Sequence, residues 1–275
     1  YAHHDKEDDK VALAIREHYQ PRYAGDELPS TPESLAVALA DKIETLTGLF
    51  GIGQLPTGEK DPFALRRHAL GILRLLIEKE LPLSLDNLIA IGTEEESVVP
   101  GVKDATEELK QFFHDRLRVM QKDQGFTAHE VESVIGSEPA ILADVPKRLK
   151  AVHDFMSLPE AESLAAANKR IENILKKNTL PLADAVDPAL LTEKEEKDLY
   201  EAIRTLEPKL EADYKAGRYE DELRSLAPLK APVDAFFDKV MVNAEDEALR
   251  RNRLTLLNEL HKAMNQVAKL SCLAS

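Results

Sequence analysis

"TPESLAVALADKIETLTGLFGIGQLPTGEKDPFALRRHALGILRLL", Thr31 to Leu76, decides the fold class. Thr31 has a hydroxyl suited to an N-cap, and Pro32 suits the first helical turn, where a missing N–H costs nothing. Leu35, Leu39, Ile43, Leu46 and Phe50 then recur every three or four residues and share one face. Asp61-Pro62 repeats the start signal, and Phe63, Leu65, Ala69, Ile72, Leu73 and Leu76 form a second stripe that Pro82 closes. The reading is helix, hinge, helix. Gly48 and Gly51 are expected to end the first helix and Pro56 to fix the loop. Phe63 and Leu65 are expected to pack across a joint between two parts of the chain, leaving part of the Arg66-Arg67 pair free for phosphate.

Outward from there the same period recurs. Helices are predicted at 102–124, 128–135, 144–157, 159–177, 189–215, 219–243 and 245–271. Breaks fall at the acidic "TEEESVVP" of Thr93 to Pro100, at Pro181, at Asp187-Pro188, at Gly217 and near Asn243. No segment sustains the alternation of a half-buried strand, and there is no internal repeat, so the chain reads as all-α.

Its 275 residues can bury one large core or two to three small ones, and 43% hydrophobic with 31% charged residues is ordinary for a globular chain. The chain starts at Tyr1 rather than Met, and a piece of a longer protein is expected. Cys272 is the single cysteine, which excludes an intrachain disulfide and points to a reducing compartment. No apolar run approaches the roughly 20 residues of a membrane span, so the default reading is cytoplasmic with no membrane partner. The net charge of -14 opposes nonspecific binding to nucleic acid, which requires positive charge against phosphate. Any nucleic-acid site must be a local patch.

Catalytic motifs are missing: there is no GxxxxGK[ST], no GxGxxG after a strand, no HExxH, no GxSxG and no CxxC. Cys272 has no local activating neighbour and reads as a small packing residue. "YAHHDKEDD" supplies His3, His4, Asp5, Asp8 and Asp9, which are ligand-type side chains at spacings that match no closed metal site. Asp41, in "LADKIETL", sits in a context similar to the last metal-binding segment of HD-type phosphohydrolases. A solvated acidic terminus and a helix-surface Asp is the plainer reading, and no metal is expected on His3, His4, Asp5 and Asp41.

Longer stretches carry a more specific resemblance. "ALADKIETLTGLFGIGQLPTGEKDPFALRRHALGILRLL", "YAHHDKEDDKVALAIREHYQPRYAGDELP", "LAAANKRIENIL" and "VDAFFDKVMVNAEDEALRRNRLTLLNEL" together resemble the β subunit of bacterial heterotetrameric glycine–tRNA ligase. The resemblance covers most of the chain and is weakest over about 90–160 and 177–200. It implies an HD-like helical region at 1–80, a helical body or connector at 81–158 and a C-terminal anticodon-binding helical bundle at 159–275. That bundle is of the type named for an Asp-Ala-Leu-Arg motif, here Glu247-Ala248-Leu249-Arg250. The resemblance further implies glycine tRNA and an α subunit as partners in an α2β2 assembly. ATP, glycine and Mg2+ would act at the α subunit, so this piece would hold no cofactor and would not catalyse alone.

The residues expected to meet tRNA follow from where basic and amide side chains recur. Residues 236–275 hold six Lys/Arg against five Asp/Glu, a contrast with the acidic whole. Arg250 and Arg253 lie three apart on one helix face, with Lys239 and Asn243 shortly before them. Lys169, Arg170 and Asn173 form a polar row one helical turn long, and Arg66 and Arg67 follow the hinge. The competing class is a metal-dependent HD-type phosphohydrolase.

Overall fold

The computed structural model describes residues 1–96 and 99–274. They form two compact units: Tyr1–Gly125 with Pro139–Pro146, and Phe126–Glu138 with the chain from 147 onward. Among the described residues there are twelve α-helices, and the β pairing is confined to the isolated bridges Thr57–Lys60 and Ser84–Ile141. The all-α expectation holds.

In the first unit the helices are α1 (Asp9–Glu17), α2 (Pro32–Gly51), α3 (Leu65–Glu78), α4 (Leu85–Glu96) and α5 (Thr106–Asp123). The Thr31 hydroxyl accepts from Ser34 N–H at 3.2 Å and Pro32 occupies the first turn, as the sequence predicts. Leu39, Ile43, Leu46 and Phe50 are buried and α2 packs on α1, α3, α4 and α5, which makes it the centre of the unit. On α3, Leu65, Ala69, Ile72, Leu73 and Leu76 are buried as expected. Leu75 and Ile77 are buried too, because α3 also meets α5 and the short turn Leu142–Asp144. Burial of each such leucine or isoleucine is worth on the order of 1.5–3 kcal/mol.

The hinge differs from its sequence reading in several ways. α2 runs through Gly48 and ends at Gly51, so Gly48 is an interior residue. Gly53 and Gly58 take positive φ (76° and 53°), the conformations that favour glycine. The second helix starts at Leu65 rather than at Pro62, yet Asp61 still caps it, its carboxylate accepting from Leu65 N–H at 2.8 Å and Arg66 N–H at 3.0 Å. Phe63 is 46% exposed and does not pack across a joint, whereas Leu65 does bury. The hinge joins two helices of one unit, since α2 and α3 pack on each other.

Two helices were not anticipated, α1 and α4. α4 has Leu85, Ile89 and Gly92 buried, one per turn, and its last turn is the acidic stretch read from sequence as a break. Ser97 and Val98, also within that stretch, lie outside the described residues.

The second unit contains α6 (Ala128–Ile135), most of α7 (Val145–Phe155), α8 (Ala161–Lys177), α9 (Lys194–Lys215), α10 (Tyr219–Arg224), α11 (Lys230–Lys239) and α12 (Glu247–Met264). α12 packs on α8 and α9, and α11 on the same two helices. The helix predicted at 219–243 is broken into α10, a short 3-10 turn Ala227–Leu229 and α11. Pro228 and Pro232 explain the break, since neither can donate to a continuing helical ladder. The prediction at 189–215 is shortened because Glu193 and Glu196 form a reciprocal capping box that starts α9 at Lys194. The prediction at 245–271 ends at Met264, after which Leu270–Leu273 forms a 3-10 turn against α6 and α8.

Candidate nucleic-acid interface

α12 opens inside the motif Glu247-Ala248-Leu249-Arg250. The Asp246 carboxylate caps it, accepting from Ala248 N–H at 2.7 Å and Leu249 N–H at 3.1 Å. This cap fixes the first turn, and with it the direction of Arg250. The Arg250 side chain is half-buried, and its Nε is shielded from solvent without a hydrogen-bond partner.

Arg250 and Asn243 line a single cleft of about 440 Å3, together with Ile174, Lys177, Asn178, Thr179, Leu180 and Leu254. Three elements meet there: the end of α8, the loop before α12 and the first two turns of α12. The Asn178 side chain shapes one wall by clasping Leu180, donating to its carbonyl at 2.7 Å and accepting from its N–H at 2.9 Å. The cleft therefore offers a guanidinium, an ammonium, two amides and a hydroxyl over an apolar floor of Ile174 and Leu254. That combination suits an unstacked base with its backbone phosphate. Lys177, Asn178 and Thr179 escape the sequence reading because they are the last residue of α8 and the turn that follows it, where no helical row singles them out.

Arg253 is corrected. It is only 5% exposed, and its guanidinium is spent on protein: Nε on Glu196 Oε1 at 2.5 Å, one terminal nitrogen on Met241 O at 2.8 Å, the other on Thr192 Oγ1 at 3.4 Å. It cannot reach a base. Its contact to Met241 O instead steadies the loop that carries Asn243. The sequence assigned it to an open face, but α12 is buried nearly all round from Asn252 to Leu257. The polar side chains there are held by the chain of residues 183–187: Asn252 exchanges two hydrogen bonds with the Asp187 backbone, and Thr255 Oγ1 accepts from Ala183 N–H.

The other expected residues are dispersed. Lys239 lies exposed at the end of α11. On α8, Lys169, Arg170 and Asn173 are exposed. However, Lys169 Nζ donates to Ala274 O at 3.3 Å, and the Arg170 guanidinium stacks 4.1 Å over the Phe237 ring. None of the three lines the Arg250 cleft. Nearby, Lys176 and Lys269 both pair with Glu172; burial opposes ionisation there, but hydrogen bonds from Lys176, Ser271 and Lys269 outweigh it and bring the carboxyl to about 2. In the first unit, Arg66 is tied back to Gly58 O at 2.6 Å while Arg67 is exposed.

The ligand-type residues of the N-terminus pair locally, His3 with Asp9 at 3.3 Å and His4 with Asp5 at 3.1 Å, all largely exposed. Among the described residues no group of three or more His, Cys, Asp or Glu side chains is placed to hold a metal ion. No helix among them is long and apolar enough to cross a membrane. Cys272 is half-buried, and burial pushes its thiol up, the opposite of nucleophile activation.

Comparison with known families fits this geometry. The family model described as glycyl-tRNA synthetase beta subunit matches residues 1–136, and the DALR anticodon binding domain matches residues 164–271, which include most of α8, the loop with Asn243 and all of α12. A glycine–tRNA ligase β subunit of Delftia acidovorans is 54% identical over 279 residues, covering 100% of this chain and 39% of that protein. The chain belongs to the glycyl-tRNA synthetase β-subunit family.

Homologous β subunits of Leptothrix cholodnii (54% identical, 38% of its length) and Nitrosomonas eutropha (50%, 40%) also align with the whole chain. The chain thus spans about two-fifths of the relatives it matches. In this family's terms, the Arg250 cleft lies within the anticodon-binding domain. The comparisons give no support to the phosphohydrolase alternative.

Proposed function

We propose that the chain is the tRNA-recognising part of a glycine–tRNA ligase β subunit, and that its second unit receives the anticodon loop in the cleft of Arg250 and Asn243. The observation that carries this reading is the coincidence of that cleft with the matched anticodon-binding domain. Arg250, Asn243 and Lys177 would hold bases and phosphate in the cleft; Lys239, Lys169, Arg170 and Asn173 would supply weaker contacts around it, and Arg67, with Arg66 partly available, a separate one in the first unit. Arg253 acts as a positioning residue. We assign 1–80 to an HD-like region, 81–158 to a connector and 159–275 to anticodon binding.

The complete ligase would attach glycine to its tRNA in the cytoplasm with ATP. The chemistry, with ATP and Mg2+, would reside on an α subunit in an α2β2 assembly, and this chain would supply tRNA affinity and selectivity. Its overall acidity makes a localised contact essential, because long-range attraction to RNA is weak for a chain of net charge -14. Filter binding tests the reading. Glycine tRNA should bind the chain more tightly than the same tRNA with its anticodon replaced, and equal affinity for both would overturn the assignment.

A further inference from the structure

The first unit holds a second cleft of about 440 Å3, lined by Tyr19, Pro21, Arg22, Asp41, Lys42, Ala64, Arg67 and His68. Its centre is Lys42, 2% exposed on the core side of α2. Lysine is almost never fully buried unless paired with an anion. Among the described residues Lys42 forms no ion pair; its Nζ donates to the His18 carbonyl at 3.1 Å, and an ammonium carries three N–H donors. The position is built for this side chain: a methyl on Gly71 would come within 3.0 Å of Lys42 Cε and 3.5 Å of Pro21 Cγ.

Two neighbours on α3 carry further nitrogen donors toward the same cleft. His68 Nδ1 is buried without a hydrogen bond. Arg67, directly before His68 in the first turn of α3, is exposed and makes no ion pair among the described residues. Arg22 is already neutralised by Asp26, its Nε 2.9 Å from one carboxylate oxygen and a terminal nitrogen 3.2 Å from the other. Asp41 is the lone opposing charge on the lining. Tyr19 is 63% exposed and its ring lies 3.8 Å from that of His18, a platform at the mouth.

We propose that this cleft binds a phosphate group through Lys42, Arg67 and His68, either on a free nucleotide or in an RNA backbone. Charge-assisted hydrogen bonds to phosphate would use the spare donors of Lys42 and Arg67, and Tyr19 offers a face for a base. Burial, followed by the nearby Lys42 charge, holds His68 below its ordinary value, and burial lowers Lys42 as well. A phosphate dianion bound beside them would favour the charged form of both side chains, so binding should be accompanied by proton uptake. The nucleotide source is independent of the tRNA reading; the RNA source rests on it.

Calorimetric titration of the 275-residue chain with inorganic phosphate, with AMP and with a short 5′-phosphorylated oligoribonucleotide tests the proposal, run in two buffers of different ionisation enthalpy. Saturable binding with proton uptake is expected. Arg67→Ala and Lys42→Met should each weaken it by roughly tenfold, the loss of one charged contact, and Asp41→Asn should tighten it. Binding of phosphate and AMP identifies a free nucleotide; binding of the oligonucleotide alone identifies RNA. Arg67 is exposed, so its variant decides even where Lys42→Met fails to fold. No saturable binding of any of the three ligands, or the same affinity in the Arg67 and Asp41 variants, overturns it. Glycine tRNA that still binds through Arg250 in that case leaves the anticodon assignment standing.

Discussion

Arg253 and Glu196, 57 positions apart, form an ion pair that ties α12 to α9, with the arginine side chain 6% exposed and the glutamate 0%. The Glu196 carboxylate has further donors, Glu193 N–H at 2.7 Å and Thr192 Oγ1 at 3.3 Å, so one buried charge serves both the interhelix contact and the cap of α9. Burial opposes its ionisation, and the hydrogen bonds from Arg253 and Glu193 overcome it and hold the carboxyl below its ordinary value.

Removing one partner leaves the other charge buried and uncompensated. Arg253→Met should therefore destabilise the second unit by about 3–5 kcal/mol, and adding Glu196→Gln should restore part of that loss. Denaturant unfolding of the two variants checks it. A single variant as stable as the parent would show that the pair does not hold α9 to α12.

Glu222 predicts a pH dependence. It is 0% exposed, both carboxylate oxygens lack hydrogen-bond partners, and burial, reinforced by Asp213, raises it to about 8 against the opposing pull of Arg148 and Lys209. Its folded pKa is raised and it is an acid, so the folded state binds the extra proton between the unfolded value of 4.5 and about 8. Stability from this group is then highest below 4.5, falls as pH rises through that window and levels off above about 8. Glu222→Gln should match the parent near pH 4.5 and exceed it by roughly 5 kcal/mol at pH 9, the size of such a shift at about 1.4 kcal/mol per unit. Unfolding curves for both proteins at the two pH values give the difference directly; a pH-independent difference would rule out titration of Glu222.

Gly51 ends α2 for a reason other than backbone conformation. A side-chain carbon there would strike Val102 Cγ1 and come within 3.0 Å of the Lys103 carbonyl, while Lys103 N–H donates to Gly51 O at 2.9 Å. The segment before α5 crosses the helix end at backbone distance. Gly51→Ala should cost about 1–3 kcal/mol through overpacking, whereas Gly53→Ala should lose less packing but strain a φ of 76°. Thermal melts of both variants test this, and an unchanged Gly51→Ala melt would mean that the 102–103 segment yields freely.

The helices legible in the sequence were those with one apolar stripe and a side-chain cap, such as α2 behind Thr31. Elements set by partners far along the chain were not. α4 was missed because its packing depends on Gly92, which lets Thr47 of α2 approach within 3.0 Å of where a methyl would sit, and a glycine adds nothing to a hydrophobic pattern. Helical spacing assigns Arg253 a face but not what covers it, and two of its partners, Thr192 and Glu196, lie 61 and 57 positions away. Arg250 and Asn243, both singled out from the sequence, line one cleft. Their convergence with Lys177 and Asn178 arises from the turn after α8, which periodicity does not describe.

That convergence gives the last prediction. Arg250 is held at the first turn of α12 by the Asp246 cap, has an unspent Nε, and shares its cleft with Asn243. Neither side chain supports the core, so Arg250→Ala and Asn243→Ala should leave the unfolding curve within about 0.5 kcal/mol of the parent. In the complete ligase, each should reduce charging of glycine tRNA by roughly 1–3 kcal/mol in apparent transition-state affinity if its side chain reads a base. A phosphate contact would give a smaller loss, equal for all tRNAs, with a shallower salt dependence. Arg253→Met is the control: its effect on charging should follow its loss of stability and shrink at low temperature, while that of Arg250→Ala should persist. Glycine tRNA kinetics unchanged in folded Arg250→Ala and Asn243→Ala would remove this cleft from the anticodon site.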